Sequence, residues 1–268
     1  MSVQTLYTAA TGMQALETKL DVIANNLANV NTTAFKKGRA NFEDLIYLDD
    51  VAPGAQDSTG NFAGTGISIG LGTRVSSTQT NFGQGPLKTT DNQYDVAITG
   101  NGFFQIADPD APGGLLYTRA GNFSVNANGD LVVGSARDGR LVEPTINIPQ
   151  GTTSVTISAD GEVTITDGTG TTSQAGPIQL ATFLNPEGLQ KLGDNMFAET
   201  PASGSPTPGT PGAQGYGSLQ QGFIETSNVE PVRELIDLIT TQRAFELNSQ
   251  AVNAGDQIMQ LINNLRRG

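Results

Sequence analysis

The chain has 268 residues and a formal charge of −12, from 26 acidic and 14 basic residues. It contains no His, Cys or Trp, which excludes disulfides, thiolate chemistry, histidine-ligated metals and both Ser-His-Asp and Cys-His catalytic groupings. The acidic balance argues against nucleic acid as a partner, while 33 glycines, 13 prolines and 6% aromatic residues predict thin cores and many turns.

At the N-terminus, Leu6, Ala10, Met13, Leu16, Leu20, Ile23, Leu27 and Val30, with Val3 before them, recur every three or four residues, the spacing of one helix face. Asn29, Asn31, Thr32 and Thr33 then supply turn-forming and β-branched residues that stop the helix. The reading assigns residues 1–35 to an N-terminal helix. Residues 36–75 read as an irregular extended segment and loop, with the stretch 49–72 rich in Gly, Asp and Ser. Residues 76–200 read as β, through alternating or β-branched runs at 94–106, 115–133, 154–166 and 177–183. Asp160-Gly161 and Asn128-Gly129, each between apolar alternations, predict hairpin turns.

A loop follows at 201–217, carrying four prolines and five glycines from position 201 onward. Residues 218–268 read as a C-terminal segment and a second long helix. Its start has two readings, a capping box from Ser227 to Glu230 or Pro231 at the first helical position. Leu238, Phe245, Val252 and Met259 repeat every seven residues, as do Ala244, Ala251, Ile258 and Leu265. A third row, Thr241, Asn248, Gly255 and Ile262, is mostly small or polar and suits close approach of a neighbouring helix. The fold class is therefore α+β, with long terminal helices pairing as a coiled-coil-like domain around a β-rich central region. Two helices cover only part of each other's apolar stripes, so the remainder points to self-assembly or a large partner.

Chemical motifs are weak throughout. Gly64, Gly66 and Gly70, or Gly100 and Gly102, lack the spacing and the Lys-Ser/Thr pair of a phosphate loop. Asn126, Asn128 and Asp130 alternate like the start of a calcium loop but lack the bidentate Glu. Glu43-Asp44 and Asp49-Asp50 are adjacent carboxylates that suit a solvated acidic face better than glycoside chemistry. Lys36, Lys37 and Arg39 follow a helix end, where the dipole favours cations. No catalytic, cofactor or metal site stands out, and the reading assigns no enzyme activity and no cofactor.

Three segments carry a resemblance. Residues 24–36, Ala-Asn-Asn-Leu-Ala-Asn-Val-Asn-Thr-Thr-Ala-Phe-Lys, resemble the N-terminal signature of bacterial flagellar rod and hook proteins, with Ala34 where that family commonly has Gly. The run Glu225-Thr226-Ser227-Asn228-Val229, followed by Gln242-Arg243-Ala244-Phe245-Glu246 and Asn248, is similar to the family's C-terminal signature. In the centre, Asp95-Val96-Ala97-Ile98, Gly102-Phe103-Phe104, Tyr117-Thr118-Arg119 and Gly121-Asn122-Phe123 look like a third. The length and the segment Phe42-Glu43-Asp44-Leu45-Ile46-Tyr47 leading to Pro53-Gly54-Ala55 most resemble subunits of the distal rod. Proximal rod and hook subunits of the same family are the alternative.

The resemblance implies a non-enzymatic axial subunit that polymerises helically with itself and meets other rod subunits, hook protein and the surrounding basal-body rings. It also implies export through the flagellar type III apparatus without a cleaved signal, and a place in the basal body across the periplasm. No run approaches the roughly 18 apolar residues of a membrane span, so membrane insertion is not expected. The expected assembly interface comprises Leu20, Ile23 and Leu27 with Leu238, Phe245, Val252 and Met259, and the helix-end amides Asn25, Asn26, Asn29 and Asn31. Readings from other classes are a surface-binding β module on a helical stalk and, less supported, a cell-wall hydrolase using Glu43.

Overall fold

A computed structural model describes residues 3–54, 56, 62, 64–133 and 139–265; the side chains of Val3, Ile262 and Leu265, read above as seam positions, lie outside the described set. The chain divides into two compact units. One comprises Met1–Ala28, Gly38–Thr80 and Glu230–Gly268; the other comprises Asn29–Lys37 and Asn81–Val229.

The first unit holds both long helices, α1 (Val3–Ala28) and α2 (Pro231–Leu265), with strands β1 (Gly38–Asp44), β2 (Tyr47–Val51), β3 (Ile67–Gly70) and β4 (Thr73–Thr80). The helices touch and run antiparallel. Asn26 meets Glu234, a Cβ on Gly12 would sit 3.5 Å from Asn248, and a Cβ on Gly255 would sit 2.4 Å from Leu6. The innermost row of α2 is the small and polar one: Glu234 and Thr241 are buried at 6% and 2% exposure, and Gly255 is buried with them. Side chains of this size let the helix axes approach. Leu238, Phe245 and Val252 are half-buried beside that row and Met259 is exposed. Because the helices are antiparallel, Leu20, Ile23 and Leu27 lie near the start of α2, whereas Met259 lies near the start of α1.

Residues 36–75, expected to be irregular, instead form most of one antiparallel ribbon. β1 pairs with β4 and β2 with β3. Leu45 N–H to Gly72 O and Leu71 N–H to Ile46 O carry the ladder across the gap between the two pairs. The ribbon is exposed along β2 and β3, where no core demands an apolar alternation, and residues 55, 57–61 and 63 of the glycine-rich stretch lie outside the described residues. α2 starts with Pro231 at its first position, and Glu230 O accepts Glu234 N–H, so the proline reading of this start holds. Ser227 Oγ instead accepts Val229 N–H before the helix begins.

The second unit is β-rich. Its strands are β5 (Leu87–Thr89), β6 (Val96–Thr99), β7 (Phe103–Ala107), β8 (Leu115–Thr118), β9 (Phe123–Val125), β10 (Leu131–Val133), β11 (Val142–Glu143) and β12 (Thr152–Ile157). After these come β13 (Glu162–Asp167), β14 (Thr172–Pro177), β15 (Leu180–Thr182), β16 (Gln190–Gly193), β17 (Met196–Ala198), β18 (Thr207–Gly209), β19 (Ser218–Gln221) and β20 (Phe223–Glu225). The largest sheet runs β16-β17-β8-β7-β15-β18, with β11 also on β7. β12, β13 and β14 form a meander that turns at Asp160-Gly161, and β9 and β10 form the Asn128-Gly129 hairpin, both as the turn residues predict.

One apolar core gathers Val96, Ile98, Phe104, Ile106, Leu116, Val142, Ile178 and Leu180. A second is aromatic: Phe103, Tyr117, Phe183 and Phe197, with Phe82 against them, meet edge to face at 4.7 to 6.0 Å. Burial and the nearby Glu199 push the Tyr117 phenol up to about 12. The β unit extends beyond the 76–200 range read from sequence. It takes in Asn29–Lys37, assigned above mostly to the first helix, because α1 stops at Ala28. It also takes in β18, inside the expected loop 201–217, and β19 and β20 after it.

Gly121 shows how tightly this unit is built: a Cβ there would lie 1.7 Å from Val96 O, across the hydrogen bond Val96 N–H makes to Gly121 O. Gly121→Ala therefore forces the two backbones apart and is expected to cost about 1–3 kcal/mol or more, read as a lowered urea midpoint of the β unit by circular dichroism.

Candidate functional site

The most concentrated chemistry lies in the β unit, around one carboxylate. Glu225, the last residue of β20, has a fully buried side chain. Its Oε1 accepts Lys36 Nζ at 2.6 Å and Gly85 N–H at 2.7 Å, and its Oε2 accepts Arg119 Nε at 2.8 Å. Lys36 and Arg119 are themselves 1% and 4% exposed. Lys36 Nζ donates onward to Gly83 O. Arg119 donates to Gly100 O and Gly102 O from Nη1 and to Ile98 O and Gly100 O from Nη2. Gly100 and Gly102 make the turn from β6 to β7 with φ of 109° and 135°, so the glycines that suggested a phosphate loop present carbonyls to a guanidinium.

Burial disfavours the charged form of Glu225, but Arg119 and Lys36 outweigh it and hold the carboxyl below its ordinary value of 4.5. Burial, reinforced by Arg119, lowers the Lys36 amine from 10.5, against the opposing pull of Glu225. Lys36 is thus not a cation soothing a helix end, as its sequence neighbourhood suggested, but one leg of a buried ion cluster. Each leg comes from a different one of the three signature segments: Lys36 from the first, Arg119 from the central one and Glu225 from the last. The first segment is also tied by backbone, with Ala34 N–H donating to Glu225 O at 2.8 Å. Ala34 is buried at a φ of 56°, so this chain adopts with Ala the left-handed backbone that suits Gly.

In the helix unit, Asn26 joins three elements. Its Oδ1 accepts Gly38 N–H and its Nδ2 donates to Gly38 O, both at 2.9 Å, and Nδ2 also reaches Glu234 Oε2 at 3.2 Å. Of the other helix-end amides, Asn29 Oδ1 accepts the Thr32 hydroxyl, while Asn25 and Asn31 are exposed. Ile23 is buried, and Leu20 and Leu27 are half-buried.

Sequence reasoning missed an exposed apolar surface, which is also in this unit. Val232, Leu235, Ile236 and Ile239 form an outward stripe on α2, with Val232 72% exposed. Ile46, Tyr47, Leu48, Ile67 and Ile69 are exposed on the ribbon, Ile46 at 77%. The i, i+3, i+4, i+7 spacing of the α2 stripe was a readable signal, but it competed with three heptad rows on the same helix.

No grouping supports catalysis or metal binding among the described residues. Asn126 Nδ2 donates to Asp130, whose other oxygen accepts from Asn147, so the turn is closed on itself, and Glu43 pairs with exposed Arg74. A cavity of about 320 Å³ is lined by Glu199, Thr200, Pro201, Gly204 and Ser205, which offer one carboxylate and hydroxyls but no base beside them.

Family comparisons fall on the same three segments. A model for flagella basal body rod proteins matches residues 6–36, one for the D1 domain of flagellar hook protein FlgE/F/G matches 97–165, and one for the flagellar basal body rod FlgEFG C-terminus matches 220–265. The flagellar basal-body rod protein FlgG of Caulobacter vibrioides is 45% identical over 98% of this chain and 99% of its own. That of Bacillus subtilis is 39% identical, again over 98% of this chain and 99% of its own. The hook-basal body complex protein FlhP of Bacillus subtilis, similarly covered, is 31% identical. The chain belongs to the family of flagellar basal-body rod proteins. The two relatives of FlgG type are thus 45% and 39% identical to it, against 31% for FlhP.

Glu225→Gln leaves two buried cations without their counter-charge and is expected to cost the β unit about 3–5 kcal/mol. The carboxylate's contribution is present above pH 4.5 and is lost as pH falls through its lowered folded value. Wild-type stability should therefore drop in acid below pH 4.5, and that acid step should be missing from E225Q in urea titrations at several pH values.

Proposed function

We infer that this chain is the structural subunit of the distal rod of the flagellar basal body. It polymerises helically into the drive shaft that passes torque to the hook. Full-length similarity to rod proteins of FlgG type supports the placement, and the exposed apolar surface of the helix unit carries the mechanism. A side chain such as Ile or Val gains about 1.5–3 kcal/mol on full burial, so the α2 stripe and the ribbon favour a neighbour over water. A patch that meets a different patch on the next copy builds a helix when the rotation does not close.

In this reading Leu20, Ile23, Leu27, Leu238, Phe245, Val252 and Met259 form the helix seams, pairing in the manner of a coiled coil within and between copies. Asn25, Asn26, Asn29 and Asn31 order the helix end. The neighbours are further copies of this chain, other rod subunits, hook protein and the rings around the rod. The chain reaches its place across the periplasm through the flagellar type III export apparatus, without a cleaved signal. No helix among the described residues is long and apolar enough to cross a membrane. The role is structural, with no catalysis and no cofactor.

Ile236→Asp places a charge on the outward stripe and leaves the inner row of α2 intact. Purified I236D should match wild type in helix content by circular dichroism, while basal bodies from cells carrying only I236D should show rods that stop short of the outer ring by electron microscopy. Full-length rods and normal motility in that strain would sink the reading.

A further inference from the structure

The chain passes between its two units at four points, after Ala28, Lys37, Thr80 and Val229. At the edge of the β unit, three of these crossings are gathered on one side chain. Asn228 Oδ1 accepts Lys37 N–H at 2.8 Å, and its Nδ2 donates to Asn81 O at 2.9 Å and to Gly83 O at 3.0 Å. Asn81 N–H donates to Lys37 O at 2.9 Å, and Asn228 N–H donates to Phe35 O at 3.3 Å. Gly83 O also accepts Lys36 Nζ, so this knot and the buried ion cluster share an acceptor. Both N–H groups and the oxygen of the Asn228 amide are thereby used, a set of bonds that needs one donor pair and one acceptor in a single plane.

A lone peptide crossing swivels about its φ and ψ, the two soft dihedrals of each residue. Crossings tied to one another where they leave a folded unit cannot swivel singly. We propose that the Asn228 knot is the torque-bearing joint of the subunit: it fixes three crossings as one block, so that twist enters the β unit through pinned chains. This rests on the rod reading above. Asn228 precedes α2, so removing its side chain leaves the outward stripe and the helix seams as they are.

The test uses Asn228→Ala, Asn228→Asp, which keeps the acceptor for Lys37 but loses both donors, and Val163→Ala as a core control in the same unit. Each is the sole copy in a strain otherwise lacking this chain. In purified protein, amide exchange at Lys37 should be about tenfold faster in N228A, the loss of one hydrogen bond, and nearly unchanged in N228D. Both variants should build rods of normal length by electron microscopy. They should swim like wild type in thin medium and fall progressively behind it as viscosity rises, while V163A keeps pace. Wild-type swimming at every viscosity in N228A and N228D, or an equal loss in V163A, would overturn the proposal. So would absence of rods in both variants, since the proposal gives Asn228 no part in assembly. Complete rods in the deletion strain would instead refute the rod reading itself.

Discussion

One carboxylate facing two cations in a dry interior sets the terms for the β unit. Taking Glu225, Lys36 and Arg119 out of water costs several kcal/mol per ion, and only close geometry with every remaining hydrogen bond satisfied offsets it. The surroundings meet that demand: Gly85 supplies a backbone N–H, and the carbonyls of Gly83, Gly100 and Gly102 absorb the spare donors. Gly85 has to be glycine for this, because a Cβ there would lie 2.1 Å from Thr226 O. A cluster so demanding in geometry adds little net stability over an apolar core of the same volume. What it does is join three segments distant in sequence at one carboxylate.

The helix unit follows a different logic. It has few fully buried side chains and keeps much of its apolar surface outside, on the stripe of α2 and on the ribbon from β1 to β4. The outer part of the ribbon, β2 with β3, is exposed, and a lone two-stranded pair of this kind is marginal by itself. The excess of acidic residues opposes association between free copies, which balances that surface without covering it.

Much of the architecture was legible in the residues. The 3.6-residue period revealed both helices, and Asp160-Gly161 and Asn128-Gly129 revealed their hairpins, because these signals are local. The inner row of α2 was legible too: Thr241, Asn248 and Gly255 read as a small or polar row suited to close approach. A Cβ on Gly255 would lie 2.4 Å from Leu6, while Gly12 comes within reach of Asn248. Residues 36–75 read as irregular because β2 and β3 have no core to impose alternation. Lys36 reads as a helix-end cation because its partner Glu225 lies 189 residues away. Both residues lie inside the signature segments, and spacing along the chain carries no trace of their pairing. Asn26 reads as a helix-end amide and Asn228 as part of the last signature segment, and nothing in the chain shows that both side chains bind distant backbone.

The antiparallel pairing of α1 and α2 joins segments far apart along the polypeptide, with Asn26 and Glu234 separated by 208 residues. Contacts this remote pay the full entropy of loop closure before they return anything, so they form late. A chain delivered from its N-terminus presents α1 long before α2 exists to receive it. The helix unit, and every surface it offers to a neighbour, therefore exists only once both α1 and α2 are present.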